Sequence, residues 1–353
     1  MAQDLDITEH VFDAPRHRTA YIAAGPQDGP LVVFCHGWPE LGVSWVNQLR
    51  ALAALGVRAV APDMRGYGGS SVPSEPEAYC QREIVADMLE LLDHLGREQA
   101  VWVGHDWGAP VVWNIASHHP DRCRAVGALS VPYYTVERGI AQLCELVDRD
   151  LYPADRYPAG QWEYMRLYEE AFEATTATWD ANPRNSVKAL LRSGDPTCIG
   201  RRSIGAVVRE EGGFFGGAPE APDVPLDTNL LSEAELEPYV TALARNGFRG
   251  PDSWYMNDAA NAAYAEEALN DGRLDMPVLF LGGAYEDTAE TQTSRLAVPM
   301  AERCSDLTAV AIPAGHWMSM EHPAAVNAAL VRWLATRVGL LEPDPDGPSV
   351  RLS

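Results

Sequence analysis

The chain has 353 residues, 46% of them hydrophobic, and sets 27 Lys and Arg against 50 Asp and Glu, a formal charge of −23. That is enough apolar material for a sizeable core, and the length suits one α/β core carrying an insertion. A surface this acidic repels phosphate backbones and anionic lipid headgroups, so nucleic acid and membrane are excluded as expected partners, and the charge reads as solubility.

The opening stretch, MAQDLDITEH, lacks a basic segment followed by an apolar run, so no signal peptide is expected. No stretch reaches about 18 apolar residues, the length of a membrane span. Six cysteines (Cys35, Cys80, Cys123, Cys144, Cys198, Cys304) are scattered without a C-x-x-C pair or Cys/His ligand spacing. A reducing cytoplasm and no metal site are the expectation, with most thiols acting as small core hydrophobes.

Short apolar runs closed by turn residues then recur along the chain. Residues 31–34 end at His36-Gly37, residues 57–61 at Pro62-Asp63, and residues 100–103 at Gly104. Val111, Val112 and Ile115 continue as one helix face after Gly108, and residues 125–131 end at Pro132. Later, 278–281 run into Gly282-Gly283, 308–312 into Pro313, and Val326, Leu330, Trp333 and Leu334 form a helical stripe. Runs without alternation predict strands buried on both faces, and strands separated by helices predict an open, mostly parallel α/β sheet.

Residues 133–269 break this alternation. They read as helices and a Gly/Pro-rich loop at 212–225, and hold 16 of the 30 aromatic residues, most of them expected to pack the segment's own core. A helical lid inserted between sheet strands is predicted, over the strand ends where open α/β sheets bind ligands. The core then comprises residues 1–132 and 270–340, and a tail at 341–353, polar and Pro-rich from Glu342, is predicted to be disordered.

The chemistry begins at Gly104-His105-Asp106-Trp107-Gly108. A G-x-nucleophile-x-G turn between strand and helix thrusts the central side chain above the sheet, near the positive end of the helix. Aspartate stands where serine or cysteine would attack a carbonyl. A carboxylate can instead displace a leaving group at saturated carbon, forming an ester that water then hydrolyses. Taken alone, the turn also suits an Asp that merely caps a helix. The loop His36-Gly37-Trp38-Pro39-Glu40 follows the strand at 31–34. It can aim the main-chain N–H of Trp38 at the same space, where with that of Trp107 it would make an oxyanion hole. His36 itself reads as a structural histidine. His316, in Pro313-Ala314-Gly315-His316-Trp317, follows the last strand in the order nucleophile, acid, histidine and is the predicted general base. Its orienting acid is Glu286 or Asp287: counting from Pro277 without a gap favours Glu286, while the commoner use of aspartate keeps Asp287 open.

Together these residues resemble the epoxide hydrolases of the α/β-hydrolase superfamily, of the soluble type, over roughly residues 7–338. The matching motifs are HGWPE, DMRGYGGSS at 63–71, GHDWGA and AGHW. In the insertion, Gly247-Phe248-Arg249-Gly250-Pro251-Asp252-Ser253-Trp254-Tyr255 is similar to the segment that carries one of that family's two ring-opening tyrosines. The resemblance assigns that role to Tyr255, and the partner role to Tyr164, with Tyr168 and Tyr152 as alternatives. Two phenols that stay protonated near neutral pH can hold an epoxide oxygen and donate as the C–O bond breaks. The family's usual Asp leaves the Glu286–Asp287 pair a departure.

The resemblance implies the α/β-hydrolase fold, a small-molecule epoxide as substrate and no cofactor. Trp38, Pro39, Trp107, Tyr164 and Tyr255 would contact that substrate, whose body the aromatic surroundings suggest is apolar, aryl or alkyl. A haloalkane dehalogenase would share Asp106 and His316 but needs halide-binding N–H donors such as Trp107 plus another Trp or Asn. A non-catalytic ligand-binding protein would have no need of nucleophile, base and acid together.

Overall fold

A computed structural model describes residues 6–341; the first five residues and the tail expected from Glu342 lie outside the described residues. Eight strands form one sheet: β1 (Thr8–Asp13), β2 (Arg18–Ala24), β3 (Leu31–Cys35), β4 (Arg58–Pro62), β5 (Ala100–His105), β6 (Cys123–Leu129), β7 (Leu274–Gly283) and β8 (Cys304–Ile312). Their order is β1-β2-β4-β3-β5-β6-β7-β8. β1 and β2 pair antiparallel, as do β2 and β4, and every other pairing is parallel.

Six of the strands contain the apolar runs legible in the sequence. β1 is mainly polar and none of it is buried, whereas β2 carries a continuous apolar stretch, Ala20–Ala24, that went unassigned. Burial in β2 alternates all the same: Tyr21 and Ala23 are buried, while Ala20 and Ile22 are partly exposed. β8 differs in the other direction. Its run at 308–312 looked buried on both faces, yet Ala309, Val310 and Ala311 are exposed, since β8 is an edge strand with only β7 beside it.

Alternate side chains of the central strands enter opposite layers. Trp102 of β5 and Val33 of β3 join the layer completed by helices Gln81–His94 and Gly108–His118, while Val101, Val103 and Phe34 join the layer completed by Val46–Ala53 and Pro323–Thr336. In the last of these, Val326, Leu330, Trp333 and Leu334 are all buried.

Between β6 and β7 the described chain contains only helices, turns and loops. Local signals set some of their ends: Ser232 and Glu235 cap the helix Glu233–Asn246 reciprocally. The segment is tied to core loops by directional bonds. The Trp254 indole donates to the Arg65 carbonyl at 3.0 Å, and the Trp317 indole donates to the Leu190 carbonyl at 3.0 Å. Glu321 accepts from the main-chain N–H of both Gly194 (3.1 Å) and Gly315 (2.8 Å). The last two ties hold the insertion against the residues on either side of His316. No helix among the described residues is long and apolar enough to cross a membrane.

Leu330→Ala removes a fully buried side chain from the layer remote from the insertion. It should cost about 2–5 kcal/mol, read as a lower urea midpoint with the slope of the transition unchanged.

Candidate active site

β5 ends at His105, and the helix Gly108–His118 begins three residues later. Asp106 makes that turn in the left-handed region, with φ 49°, a conformation that costs a non-glycine residue energy and persists only where its surroundings impose it. The surroundings are tight. A β-carbon on Gly104 would collide with the Gly108 carbonyl, one on Gly108 with the Cys35 carbonyl, and one on Gly37 with Asp106 itself. These three glycines let two loops and a helix end meet at a single carboxylate.

Asp106 Oδ1 accepts the Trp38 main-chain N–H at 2.7 Å, and Oδ2 lies 3.4 Å from His316 Nε2. On the other side of the ring, His316 Nδ1 lies 2.7 Å from Glu286 Oε2. Glu286 is 2% exposed, and its second oxygen accepts from the main-chain N–H of Thr288 and Ala289, at 3.2 and 3.3 Å. Asp287 instead accepts from the Thr288 hydroxyl at 3.1 Å. The structure thus brings Asp106, His316 and Glu286 into one chain of contacts and turns Asp287 aside.

Charge follows this geometry. Burial alone would raise Asp106, but the hydrogen bond and charge of His316, the charge of His105 and the Trp38 N–H outweigh it and hold the carboxyl below its ordinary range. Burial likewise opposes ionisation of His316, yet Glu286 and Asp106 on either side raise it well above an ordinary histidine. Glu286 is lowered overall, because His316 and the loop N–H groups overcome its burial. Asp287 moves the opposite way, raised by burial and by the adjacent charge of Glu286.

The insertion contributes the facing side. Tyr164 lies at the start of the helix Glu163–Asp180 and Tyr255 in the turn Ser253–Met256. Their rings meet edge to face with centroids 5.8 Å apart, and Tyr255 stands 5.1 Å from Trp107. Burial raises both phenols well above the usual tyrosine value, and the negative charge of Asp106 adds to each. Tyr168, one helical turn from Tyr164, is engaged elsewhere: its oxygen accepts from the Trp179 indole at 3.0 Å, and its hydroxyl donates to Asp252 at 3.2 Å. Tyr152 is engaged too, accepting the Ser203 N–H at 2.9 Å beside a separate acidic cavity. Asp106, His316, Tyr164 and the side chains of Val131, Val136 and Met165 enclose a cavity of about 30 Å³, room for a water at an otherwise apolar site.

His36 is occupied by its own loop: Nδ1 donates to the Gly37 carbonyl at 2.9 Å, and Nε2 accepts the Met64 N–H at 2.9 Å. Pro39, joined to Trp38 by a cis peptide bond, is buried. Two residues inside the recognised motifs went without a role in the sequence. His105 Nδ1 lies 2.6 Å from Glu40 Oε2, and its Nε2 donates to the His316 carbonyl at 2.8 Å. Glu40 also accepts the Gly37 N–H at 3.0 Å. This buried pair therefore ties the Trp38 loop, the elbow and the His316 loop together from beneath. Only its position immediately before Asp106 hinted at His105, since a histidine's partner cannot be read from spacing.

Among the described residues, no group of three or more His, Cys, Asp or Glu has the arrangement of a metal site.

Comparison with known proteins places this geometry among relatives. Residues 30–323 match the family described as alpha/beta hydrolase fold. The chain is 33% identical to Epoxide hydrolase A of Mycobacterium tuberculosis over 93% of this chain and 97% of that protein. It is 32% identical to the rat Bifunctional epoxide hydrolase 2 over 93% of this chain, and spans 55% of that longer protein. The crystal structure of Epoxide Hydrolase A from Mycobacterium thermoresistibile is similar with a TM-score of 0.76 and 33% identity, over 94% of this chain and 99% of that one.

The Glu286 charge favours the imidazolium, so Glu286→Gln should lower the pH at which His316 titrates. Asp287→Asn, which removes no hydrogen bond to the ring, should move it far less. Histidine NMR titration of the two variants checks this; an equal or larger shift from Asp287→Asn would make that residue the orienting acid.

Proposed function

The chain belongs to the alpha/beta hydrolase fold family and, within it, to the epoxide hydrolases, and from its site we propose that it opens an epoxide to a vicinal diol through an ester on Asp106. The observation that supports this most directly is a carboxylate on a sharp turn that shares a small cavity with the Tyr164 phenol and the His316 imidazole, with Tyr255 packed against Tyr164 and Trp107. We assign residues 133–269 as the lid and residues 1–132 and 270–340 as the core. We take the substrate to be a small epoxide with an apolar body. The six unpaired thiols are in keeping with a cytoplasmic setting.

In the first half of the reaction, Tyr164 and Tyr255 hold the epoxide oxygen while Asp106 attacks a ring carbon from the opposite side. The C–O bond breaks, a phenol donates its proton to the leaving alkoxide, and a hydroxyalkyl ester remains on Asp106. Esterification removes the negative charge of Asp106, one of the two anions that keep His316 protonated. The imidazole then releases its proton, which restores the phenol. In the second half, neutral His316, oriented by Glu286, takes a proton from water as the water attacks the ester carbonyl. The main-chain N–H groups of Trp38 and Trp107 hold the oxyanion. Collapse frees the diol and returns the Asp106 carboxylate and protonated His316 of the resting site, so the protons balance.

The dehalogenase alternative would require a second halide donor beside Trp107. The indole of Trp38 is engaged with Asp252 at 2.9 Å, which weighs against it.

His316→Gln should accumulate an adduct with the mass of the epoxide on the Asp106 peptide. A single turnover in oxygen-labelled water should place the label in Asp106 and leave the first diol unlabelled; label in that diol would rule the ester out. Because the neutral imidazole is the base, decay of the ester should speed up as pH rises through the His316 pKa of the ester form and then level off. Tyr255→Phe should slow ester formation, by about 10²-fold or more for loss of a proton donor, and affect ester decay much less, as rapid-quench kinetics would show.

A further inference from the structure

One buried carboxyl that this mechanism leaves unused collects three donors. Asp252 is 0% exposed. Its Oδ1 accepts the Trp38 indole N–H at 2.9 Å and the Tyr168 hydroxyl at 3.2 Å, and its Oδ2 accepts the Thr176 hydroxyl at 2.8 Å. Directionality is settled by the partners. An indole can only donate, and the Tyr168 oxygen already accepts from Trp179, which leaves its O–H for Asp252.

Two of those donors bracket Tyr255. The Tyr168 ring is stacked on it with centroids 4.4 Å apart and planes 4° from parallel. The Trp38 ring stands edge-on at 6.0 Å and 76°. Trp38 also carries the main-chain N–H that bonds Asp106 Oδ1 at 2.7 Å. One carboxylate, three residues before Tyr255 in the chain, therefore holds a ring on each side of that phenol and the residue that supplies the oxyanion-hole N–H.

The geometry points to Asp252 as a positioning residue for the reaction: by bonding Trp38 and Tyr168 together, it sets the Tyr255 hydroxyl and the Trp38 N–H in one register around Asp106. This role rests on the assignment of Asp106 and Tyr255 above. Filler would be cheaper here. A buried carboxyl is costly, and an apolar side chain of similar volume often packs at least as well. Burial pushes Asp252 up to about 7, with the bonds from Thr176, Trp38 and Tyr168 pulling down and Asp180, on the same helix as Tyr168 and Thr176, adding to the rise.

The test separates the two halves of the reaction, with styrene oxide as the probe: ester formation and ester decay are followed on the Asp106 peptide by rapid quench, alongside thermal unfolding. Asp252→Leu should slow both steps by on the order of 10- to 100-fold, the scale of a displaced catalytic group. Asp252→Asn keeps an acceptor oxygen where Oδ1 now takes both Trp38 and Tyr168, and should recover much of the loss in both. Leu330→Ala, destabilised on the far side of the sheet, should keep both rate constants per folded molecule. If Asp252→Leu loses stability but, like Leu330→Ala, keeps both rates, the positioning role is overturned. If Asp252→Leu does not fold, Asp252→Ala and Tyr168→Phe decide: singly each should slow ester formation, and together less than the product of the two, because both remove the bond between these residues. Independent effects would overturn the role. Asp106→Asn keeps the outcomes apart. Diol formation surviving in that variant refutes the ester mechanism itself, whereas its abolition alongside unaffected Asp252 variants refutes only the positioning role.

Discussion

Asp106 is held ionised within an enclosure of aromatic rings, chiefly by His316 at one oxygen and also by the short contact between the Trp38 N–H and Asp106 Oδ1. Water would normally stabilise such a charge. In its place are a main-chain dipole on one oxygen, an imidazole at the other and the charge of His105 beneath. The contact requires the HGWP loop to approach the elbow closely enough that neither Gly37 nor Gly108 has space for a β-carbon. It also requires Asp106 to take a left-handed backbone conformation. The buried Glu40–His105 pair bonds the two loops from below. Much of the core architecture can be understood as fixing that one distance.

The insertion completes what the sheet cannot supply. The sheet and its loops present the Asp106 carboxylate, the His316 imidazole and the Trp38 N–H, and the two phenols that the proposed mechanism needs as proton donors come from the insertion. The phenols come from two separate stretches of the insertion, some ninety residues apart in the chain, and converge because their aromatic neighbours pack in one cluster. Two of the insertion's ties to the core flank His316, and Asp252 bonds Trp38 directly. The insertion is thus bonded to the same loops that surround Asp106 and carry His316. Aromatic rings do double duty: Trp38 packs against Tyr255, bonds Asp252 through its indole and Asp106 through its main chain.

How legible each part was depended on whether its cause is local. Strands buried on both faces leave continuous apolar runs, so β3 through β7 could be found from the sequence; β1, mainly polar and without a buried residue, could not, and the short apolar stretch of β2 went unassigned. β8 had the same apolar look as its neighbours and turned out to be an exposed edge, because a run of residues does not say whether a further strand lies beside it. The glycine-flanked Asp106 was legible because its turn has steric requirements that only glycine satisfies. Asp252 stood in plain view inside a recognised segment, yet nothing in the spacing indicated that three donors from distant parts of the chain would meet it.

The amino-acid sequence alone determined the α/β alternation, the place of the helical interruption, the elbow with its acidic residue and the histidine after the last strand, since each depends on periodicity or on turn chemistry over a few residues. It narrowed the orienting acid to two adjacent carboxylates and the facing phenols to a handful. Tertiary structure separates them: Glu286 and not Asp287 meets the imidazole, Tyr164 and Tyr255 pack against each other, and Tyr168 and Tyr152 are bonded elsewhere. The physical reason is that a side chain's direction and its partners across the fold depend on how loops and helices far apart in the chain pack together, and neighbouring residues in a loop can point opposite ways without any trace in their order.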